Sequence, residues 1–232
     1  MQEISLQEKM YIEKQNELIT KIDLKNRVDP NNLKYVAGVD LAYWKKDDKE
    51  YAVCCIVVID YQSNKKDVVE RKHYMGEITT PYIPGCLAFR EIPLVLKTVE
   101  QLEHDIDLYV FDGNGYLHPR HMGLATHAGI LLNKPSMGVA KTYFKVKDTE
   151  YSEPDVKAFS YTDIVIEGEI YGRAVRTHDN VKPIFLSIGN RIDIDTATKI
   201  TETLVNKESH IPIPTRLADI MTHEKRKEYL DN

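Results

Sequence analysis

The sequence is poor in features that assign many proteins to a class at once. Three cysteines among 232 residues cannot build a disulfide framework. Cys54 and Cys55 are neighbours on a predicted strand and point to opposite faces, so with Cys86 we expect free thiols and no zinc site. The longest apolar run, residues 52–59, is too short to cross a bilayer or to act as a signal. We therefore expect a cytoplasmic protein without a membrane partner.

An excess of positive charge is also absent. The formal net charge of −5 argues against a protein that coats nucleic acid by bulk electrostatics. It does not exclude a nuclease, because metal ions would neutralise several of the acids. A local basic rim could still form, although each of its members alone is more often a solvated surface cation. The candidates are Lys134, Lys141, Lys145, Lys147, Arg173, Arg176 and Arg216.

Length and periodicity predict one domain over residues 1–232, with 42% hydrophobic residues for its core. We find no internal repeat or low-complexity tract. Helices are predicted over residues 5–20, 87–104, 122–133, 195–206 and 214–229, the first covering the sheet and the second beginning at 91–93. Strands are predicted over residues 35–44, 51–61, 67–76, 108–111, 135–144 and 184–188, with two short strands within 156–176.

Two aspartates stand out against this pattern. Asp112 directly follows the apolar strand 108–111, at the strand end where open α/β sheets bind ligands. The alternative is a turn-initiating aspartate before Gly113. Asp40 is embedded in apolar neighbours, so its carboxylate must bind a metal ion, take up a proton or pair with a cationic side chain. A buried lysine that pairs with Asp40 would be a purely structural alternative to a metal site.

Three separated motifs carry a family resemblance. PYIPGCLAFREIP, DGNGYLHPRHMGLATHAG and IPIPTRLAD resemble endonuclease V in content and order, over a region from Tyr35 to the last helix. The resemblance implies a metal-dependent deoxyribonuclease that recognises inosine in DNA and hydrolyses the second phosphodiester bond on its 3′ side, leaving 5′-phosphate ends. Such an enzyme repairs deaminated adenine. The alternatives are an inosine-specific endoribonuclease and, from another class, a catalytically silent nucleic-acid-binding module. We expect a monomer.

The element order is typical of an α/β fold, a ribonuclease H-like mixed sheet flanked by helices. In that arrangement the first and fourth strands are parallel neighbours, so Asp40 and Asp112 would lie side by side. Two carboxylates so close repel each other unless a cation joins them. Mg²⁺, with Mn²⁺ as a substitute, suits oxygen ligands of this kind.

The resemblance also assigns roles to individual residues. Asp40, Glu91 and Asp112 are expected as catalytic acids and metal ligands, with Asp219 as a fourth. Taken alone, Glu91 would be an ordinary glutamate of a first helical turn and Asp219 an unremarkable surface acid. Lys141, in GVAK, is expected to stabilise charge on the phosphoryl oxygens, its alternative being a strand-end surface lysine. His118 is expected to turn back toward the metals, where it would orient water or contact the scissile phosphate.

The segment Pro81, Tyr82, Ile83 and Pro84, here called the wedge segment, corresponds to the family's strand-separating wedge. Its two prolines stiffen a tip that could insert between bases. The alternative is that both apolar side chains pack into the core. The expected base pocket consists of Gly85, Cys86, Leu87, Gly113 and Gly138. Cys86 and Asn114 depart from common family residues, which puts fine substrate preference in doubt and leaves the acids intact.

Overall fold

A computed structural model describes residues 5–231 of the chain. The five helices of this part are α1 (Leu6–Ile19), α2 (Ala88–Val99), α3 (Leu124–Leu132), α4 (Ile194–Leu204) and α5 (Ile213–Asp231). The eight strands are β1 (Tyr35–Lys46), β2 (Lys49–Asp60), β3 (Val68–Glu77), β4 (Leu108–Asp112), β5 (Ser136–Ala140), β6 (Ser160–Ile166), β7 (Glu169–Arg176) and β8 (Ile184–Asn190).

All eight strands form one mixed sheet in the order β3-β2-β1-β4-β5-β8-β7-β6. The short turns after β1 and β2 make antiparallel pairs, whereas β4 returns through α2 and is parallel to both β1 and β5. The predicted α/β ribonuclease H-like sheet is therefore confirmed. Within the described chain, no helix is both long and apolar enough to span a membrane.

The sheet is covered on both faces, which explains why β1, β2 and β4 are apolar along nearly their whole length. On one face, Val39 and Phe111 pack in a cluster with Val95 of α2 and Ala125 of α3. On the other face, residues of β4, β5 and β8 pack against α4, and residues of β1 and β2 pack against α5. A sheet held from both sides fixes its central strands, on which the two aspartates lie: Asp40 in the middle of β1 and Asp112 at the end of β4.

Three predictions about the elements are wrong. The first helix does not cover the sheet: α1 places Tyr11 on Phe89 of α2, with ring centroids 4.1 Å apart. Helix α2 begins at Ala88, because Pro93 is tolerated in its second turn at the loss of one backbone hydrogen bond. Strand β5 ends at Ala140, the last residue that pairs with β8.

Candidate active site

Three carboxylates from three separate elements converge where β4 ends beside the middle of β1. One oxygen each of Asp40, Asp112 and Asp219 lies within 4.8 Å of the others, and we call this group the acidic cluster. The parallel register aligns Val39 with Phe111, so the residues that follow, Asp40 and Asp112, emerge side by side. The strand register thus brings these two carboxylates together, as the predicted fold required.

Asp219 reaches the acidic cluster because α5 approaches β1 very closely. A Cβ added to Gly38 would lie 2.1 Å from the carbonyl carbon of Pro214, so any larger residue in β1 would push the start of α5 away. From this contact the helix carries Asp219 to Asp40 on β1 and Asp112 at the end of β4. Thr222, on the same helix, places its hydroxyl 3.1 Å from Oδ2 of Asp40.

The three carboxylates of the acidic cluster repel one another. Burial, followed by the charges of Asp112 and Asp219, raises the pKa of Asp40 to about 7. The ammonium of Lys141 lies 2.7 Å from Asp112 and 3.4 Å from Asp219, which offsets part of the negative charge. Partial burial lowers the pKa of Lys141, but its hydrogen bond with Asp112 and the nearby carboxylates outweigh burial and raise it, so the side chain stays charged.

Glu91 borders the same cleft but stands outside the acidic cluster. Its Oε1 accepts a hydrogen bond of 2.8 Å from the hydroxyl of Tyr43, which fixes the carboxyl group in place. Burial is the main cause that raises the pKa of Glu91 to about 7, and the charge of Asp40 adds to it. Two carboxyl groups of this cleft, on Asp40 and Glu91, are therefore partly protonated at neutral pH.

The donor set fits a hard divalent cation. All ligand atoms of the acidic cluster are carboxylate oxygens, the type that hard cations prefer over the nitrogen and sulfur ligands of zinc. A cation here would replace the proton on Asp40 and relieve the repulsion among the three acids. The residues that would hold it are Asp40, Asp112 and Asp219, with Glu91 beside them.

These pKa shifts predict how stability depends on pH without divalent ions. Between the unfolded value, 3.8 for Asp40, and the folded value of about 7, the folded chain holds a proton that the unfolded chain has lost. The free energy of unfolding must then fall as pH rises through this window. Asp40→Asn abolishes this cost, so its stability relative to the wild type should grow between pH 5 and pH 8 by an amount on the order of a few kcal/mol.

Urea unfolding of both proteins in EDTA measures this difference. Burial lowers the pKa values of His118 and His127 to about 4, but these groups are common to both proteins and cancel in the comparison. Mg²⁺ at pH 8 should stabilise the wild type more than the variant. A stability difference that is constant with pH, or that shrinks as pH rises, contradicts the shift of Asp40.

His118 does not belong to the acidic cluster, although it lines the same cavity as Asp112. Its Nε2 lies 3.0 Å from the carbonyl oxygen of Gly85, and its Nδ1 accepts a hydrogen bond of 3.1 Å from the backbone N–H of Arg120. Burial, then the charge of Arg120, lowers its pKa to about 4. The ring is therefore neutral, protonated on Nε2, and fully engaged with backbone groups.

The tip of the wedge segment extends into solvent. Tyr82 is 63% exposed, and the guanidinium of Arg90 lies 6.0 Å from the centroid of its ring. Arg90 itself is buried, held 2.7 Å from a carboxylate oxygen of Glu50 and 5.3 Å from the ring of Tyr43. The tyrosine ring thus stands on a fixed cation rather than in the core.

A cavity of about 240 Å³ lies between the wedge segment and Asp112, and we call it the base cavity. Gly85, Leu87 and Gly113 line it, as do Glu91 and His118. Asn114, in the loop after β4, also lines it, together with five residues that were not anticipated from the sequence: Ala88, Met122, Gly123, Leu124 and Phe144.

Two residues of the expected base pocket support its walls from behind. The Sγ of Cys86 lies 3.7 Å from Nη2 of Arg120, on the side away from the cavity. Gly138 backs the loop after β4, where an added Cβ would lie 2.4 Å from the carbonyl oxygen of Gly113. Gly138 is therefore needed for close approach of two backbone segments.

Two cleft residues on α5 were missed. His223 places Nε2 3.5 Å from Oδ1 of Asp219, and Nη2 of Arg226 lies 3.2 Å from Nδ1 of His223. Both side chains border the cleft of the acidic cluster. Their spacing, four and seven residues after Asp219 on one helix face, is the signal that could have found them.

The predicted basic rim is largely wrong. Arg173 is buried and pairs with Asp163 at 2.6 Å and with Asp195 at 2.7 Å. Arg176 is likewise buried, 2.9 Å from a carboxylate oxygen of Glu153. Three of the lysines are also paired with acids away from the cleft: Lys134 with Asp105, Lys145 with Glu150, and Lys147 with Glu167. Lys141 is the candidate that contacts the acidic cluster.

Fold and acidic cluster together define a class: α/β proteins that gather carboxylates suited to a hard cation on the central strands of a ribonuclease H-like sheet. Comparison with known proteins narrows the class. The family model for endonuclease V matches residues 16–220. Endonuclease V of Bacillus thuringiensis subsp. konkukian is 54% identical over 217 residues, which cover 94% of this chain and 92% of that protein. The chain belongs to the endonuclease V family, a family of nucleases.

Solved structures agree over nearly the whole chain. The crystal structure of endonuclease V from Bacillus subtilis superposes with a TM-score of 0.93 at 50% identity, covering 97% of this chain and 94% of that one. Endonuclease V from Ciona intestinalis, solved in complex with a 24mer DNA containing an inosine followed by a ribo-adenosine, gives a TM-score of 0.86 at 27% identity. That comparison covers 97% of this chain and all of the other.

Proposed function

We propose that this protein is a metal-dependent endonuclease that recognises inosine in DNA and hydrolyses the second phosphodiester bond on its 3′ side. The products carry 3′-hydroxyl and 5′-phosphate ends, and the biological role is repair of deaminated adenine. One observation carries the proposal: Glu91 and Asp112 border both the base cavity and the cleft of the acidic cluster. A nucleotide whose base lies in the base cavity would therefore have its phosphate backbone beside the acidic cluster.

Mg²⁺ is the proposed cofactor, with Mn²⁺ as a substitute. When bound, the ion supplies a water of lowered pKa and neutralises charge on the phosphoryl oxygens. Tyr43 holds Glu91 in one orientation through the 2.8 Å hydrogen bond. Lys141 presents a charged ammonium at 2.7 Å from Asp112, where it stabilises negative charge that develops on the phosphate.

Base selection would take place in the base cavity. Hypoxanthine offers N1–H as a donor and O6 and N7 as acceptors, so adenine, whose N1 is an acceptor and whose 6-amino group is a donor, reverses two hydrogen bonds. Guanine adds a 2-amino group, which a close wall rejects through a clash and an unpaired buried donor. The N–H groups of Gly113 and Gly115 already donate to Val139 and to Ser187. Other groups of the cavity, among them Asn114, must therefore read the base.

A nicking assay on labelled oligonucleotides tests the proposal. Matched DNA and RNA strands with inosine, adenosine or guanosine at one position are incubated with Mg²⁺, Mn²⁺ or EDTA. We expect cleavage at inosine far above adenosine and guanosine, with either metal and not with EDTA, and faster on DNA than on RNA. Faster cleavage of RNA would instead support the endoribonuclease alternative.

The alternative of a silent binding module is disfavoured by the acidic cluster itself. A protein that only binds nucleic acid gains nothing from three carboxylates beside the phosphates, since they repel the ligand. Inosine-selective binding without cleavage under either metal would support that module. Equal cleavage beside guanosine and inosine would leave a nuclease without a base pocket.

A further inference from the structure

Helix α1 is attached to the molecule in an unusual way. Among its fourteen residues the one fully buried side chain is polar, that of Gln15, while Leu6 and Met10 are exposed. A helix that served only to cover a core would bury an apolar stripe instead. Besides the stacking of Tyr11 on Phe89, the buried amide of Gln15 is therefore a second, polar attachment of α1.

The Gln15 amide uses both of its ends. Nε2 donates to the carbonyl oxygen of Gly85 at 2.9 Å, and Oε1 accepts from Nε of Arg120 at 2.6 Å. Arg120 also donates through Nη2 to the same Gly85 oxygen at 2.8 Å, and His118 lies 3.0 Å from it. One carbonyl oxygen is thus surrounded by three side chains from two distant parts of the chain.

These hydrogen bonds fix the peptide of Gly85, which connects the wedge segment to the base cavity. It directly follows Pro84 of the wedge segment and lines the base cavity, with a φ of +72° that disfavours other residues. A peptide fixed by three donors cannot rotate without losing several hydrogen bonds at once. The orientation of the wedge segment relative to the base cavity is therefore set before substrate arrives.

We propose that Gln15 is a positioning residue, which together with Arg120 locks the Gly85 peptide so that the wedge segment and the base cavity act on one base. This inference rests on the proposed function. Arg120 pairs with no carboxylate among residues 5–231, so the amide oxygen of Gln15 is its charge-assisted partner. Gln15 lies just outside residues 16–220, the part matched by the family model.

Gln15→Leu tests the inference, because leucine keeps the bulk of the side chain and removes both hydrogen bonds. Asn16→Leu is the matched control, an amide lost from an exposed neighbouring position on the same helix. We expect kcat/KM on duplex DNA with inosine to fall about tenfold for Gln15→Leu, the equivalent of one lost hydrogen bond to a charged group. Asn16→Leu should match the wild type.

A second readout does not depend on cleavage. A duplex with 2-aminopurine beside inosine, bound in Ca²⁺ to prevent hydrolysis, brightens when the bases unstack. We expect a smaller increase at saturating Gln15→Leu than at saturating wild type. Should Gln15→Leu fail to fold, Gln15→Glu takes its place, since glutamate keeps the acceptor for Arg120 and loses the donor to Gly85.

The results of these experiments distinguish a failure of the positioning role of Gln15 from a failure of the proposed function. If the wild type nicks at inosine and folded Gln15 variants show unchanged kcat/KM and unchanged 2-aminopurine signal, the positioning role is overturned, even if their melting temperature falls. If the wild type itself shows no preference for inosine, both the proposed function and the inference fail. Loss of both signals in the Gln15 variants, with Asn16→Leu unaffected, supports the inference.

Discussion

Replacing Asp112 by asparagine will reduce nicking at inosine by more than about a hundredfold, because residues that merely support metal ligands already account for ten- to hundredfold effects. Asparagine keeps the shape of the side chain and removes its charge. Asp112 pairs with Lys141 at 2.7 Å and shares the acidic cluster with Asp40 and Asp219, so its loss removes a ligand and frees the lysine together.

Single-turnover cleavage at saturating Mg²⁺ measures this effect, because it excludes product release from the rate. Asp105→Asn is the matched control: its carboxylate, shortly before β4, is 88% exposed and lies outside the cleft. Substrate binding in Ca²⁺ should persist in Asp112→Asn, and it should tighten if repulsion of the phosphates outweighs metal bridging. Full activity of Asp112→Asn would refute the assignment of Asp112 as a metal ligand.

The central aspartates were predictable because their signals are local. An apolar strand that stops at a carboxylate and a glycine defines Asp112, and a carboxylate within an apolar strand defines Asp40. The parallel pairing of β1 with β4 then follows from the order of elements. Asp219 depends in addition on the contact at Gly38, which brings α5 onto β1 and has no local signature of its own.

The contacts of Gln15, His118 and Arg173 could not be predicted, since each depends on a partner far away in the chain. Gln15 lies on a weakly amphipathic helix, and its burial follows from Gly85, seventy residues later. His118 is close enough to Asp112 in the sequence to reach the cleft, but its ring is held by the carbonyl oxygen of Gly85 instead. Arg173 resembles a surface cation in sequence and becomes buried because Asp163 on β6 faces it across the strand pair.

Replacing Tyr82 by alanine should weaken cleavage most where the bases must be unstacked. Contacts between an aromatic ring and a base contribute about 1–3 kcal/mol each, which corresponds to about ten- to a hundredfold in kcat/KM on duplex DNA. The ring is 63% exposed and contributes little to the core, so the melting temperature should change little. Tyr82→Phe, which keeps the ring on Arg90, should retain most of the activity.

Comparing inosine in a duplex with inosine in a single strand separates a wedge from a general binding contact. A single strand has no partner strand to separate, so a ring that acts as a wedge is needed less there, and the loss in Tyr82→Ala should be several-fold smaller. Tyr74→Ala, which removes another exposed tyrosine on β3, should leave both substrates unaffected. An equal loss on both substrates would assign Tyr82 to ordinary stacking on the bound strand. Unchanged cleavage of both would mean that the exposed ring has no part in the reaction, and that strand opening depends on the rest of the wedge segment and the cavity behind it.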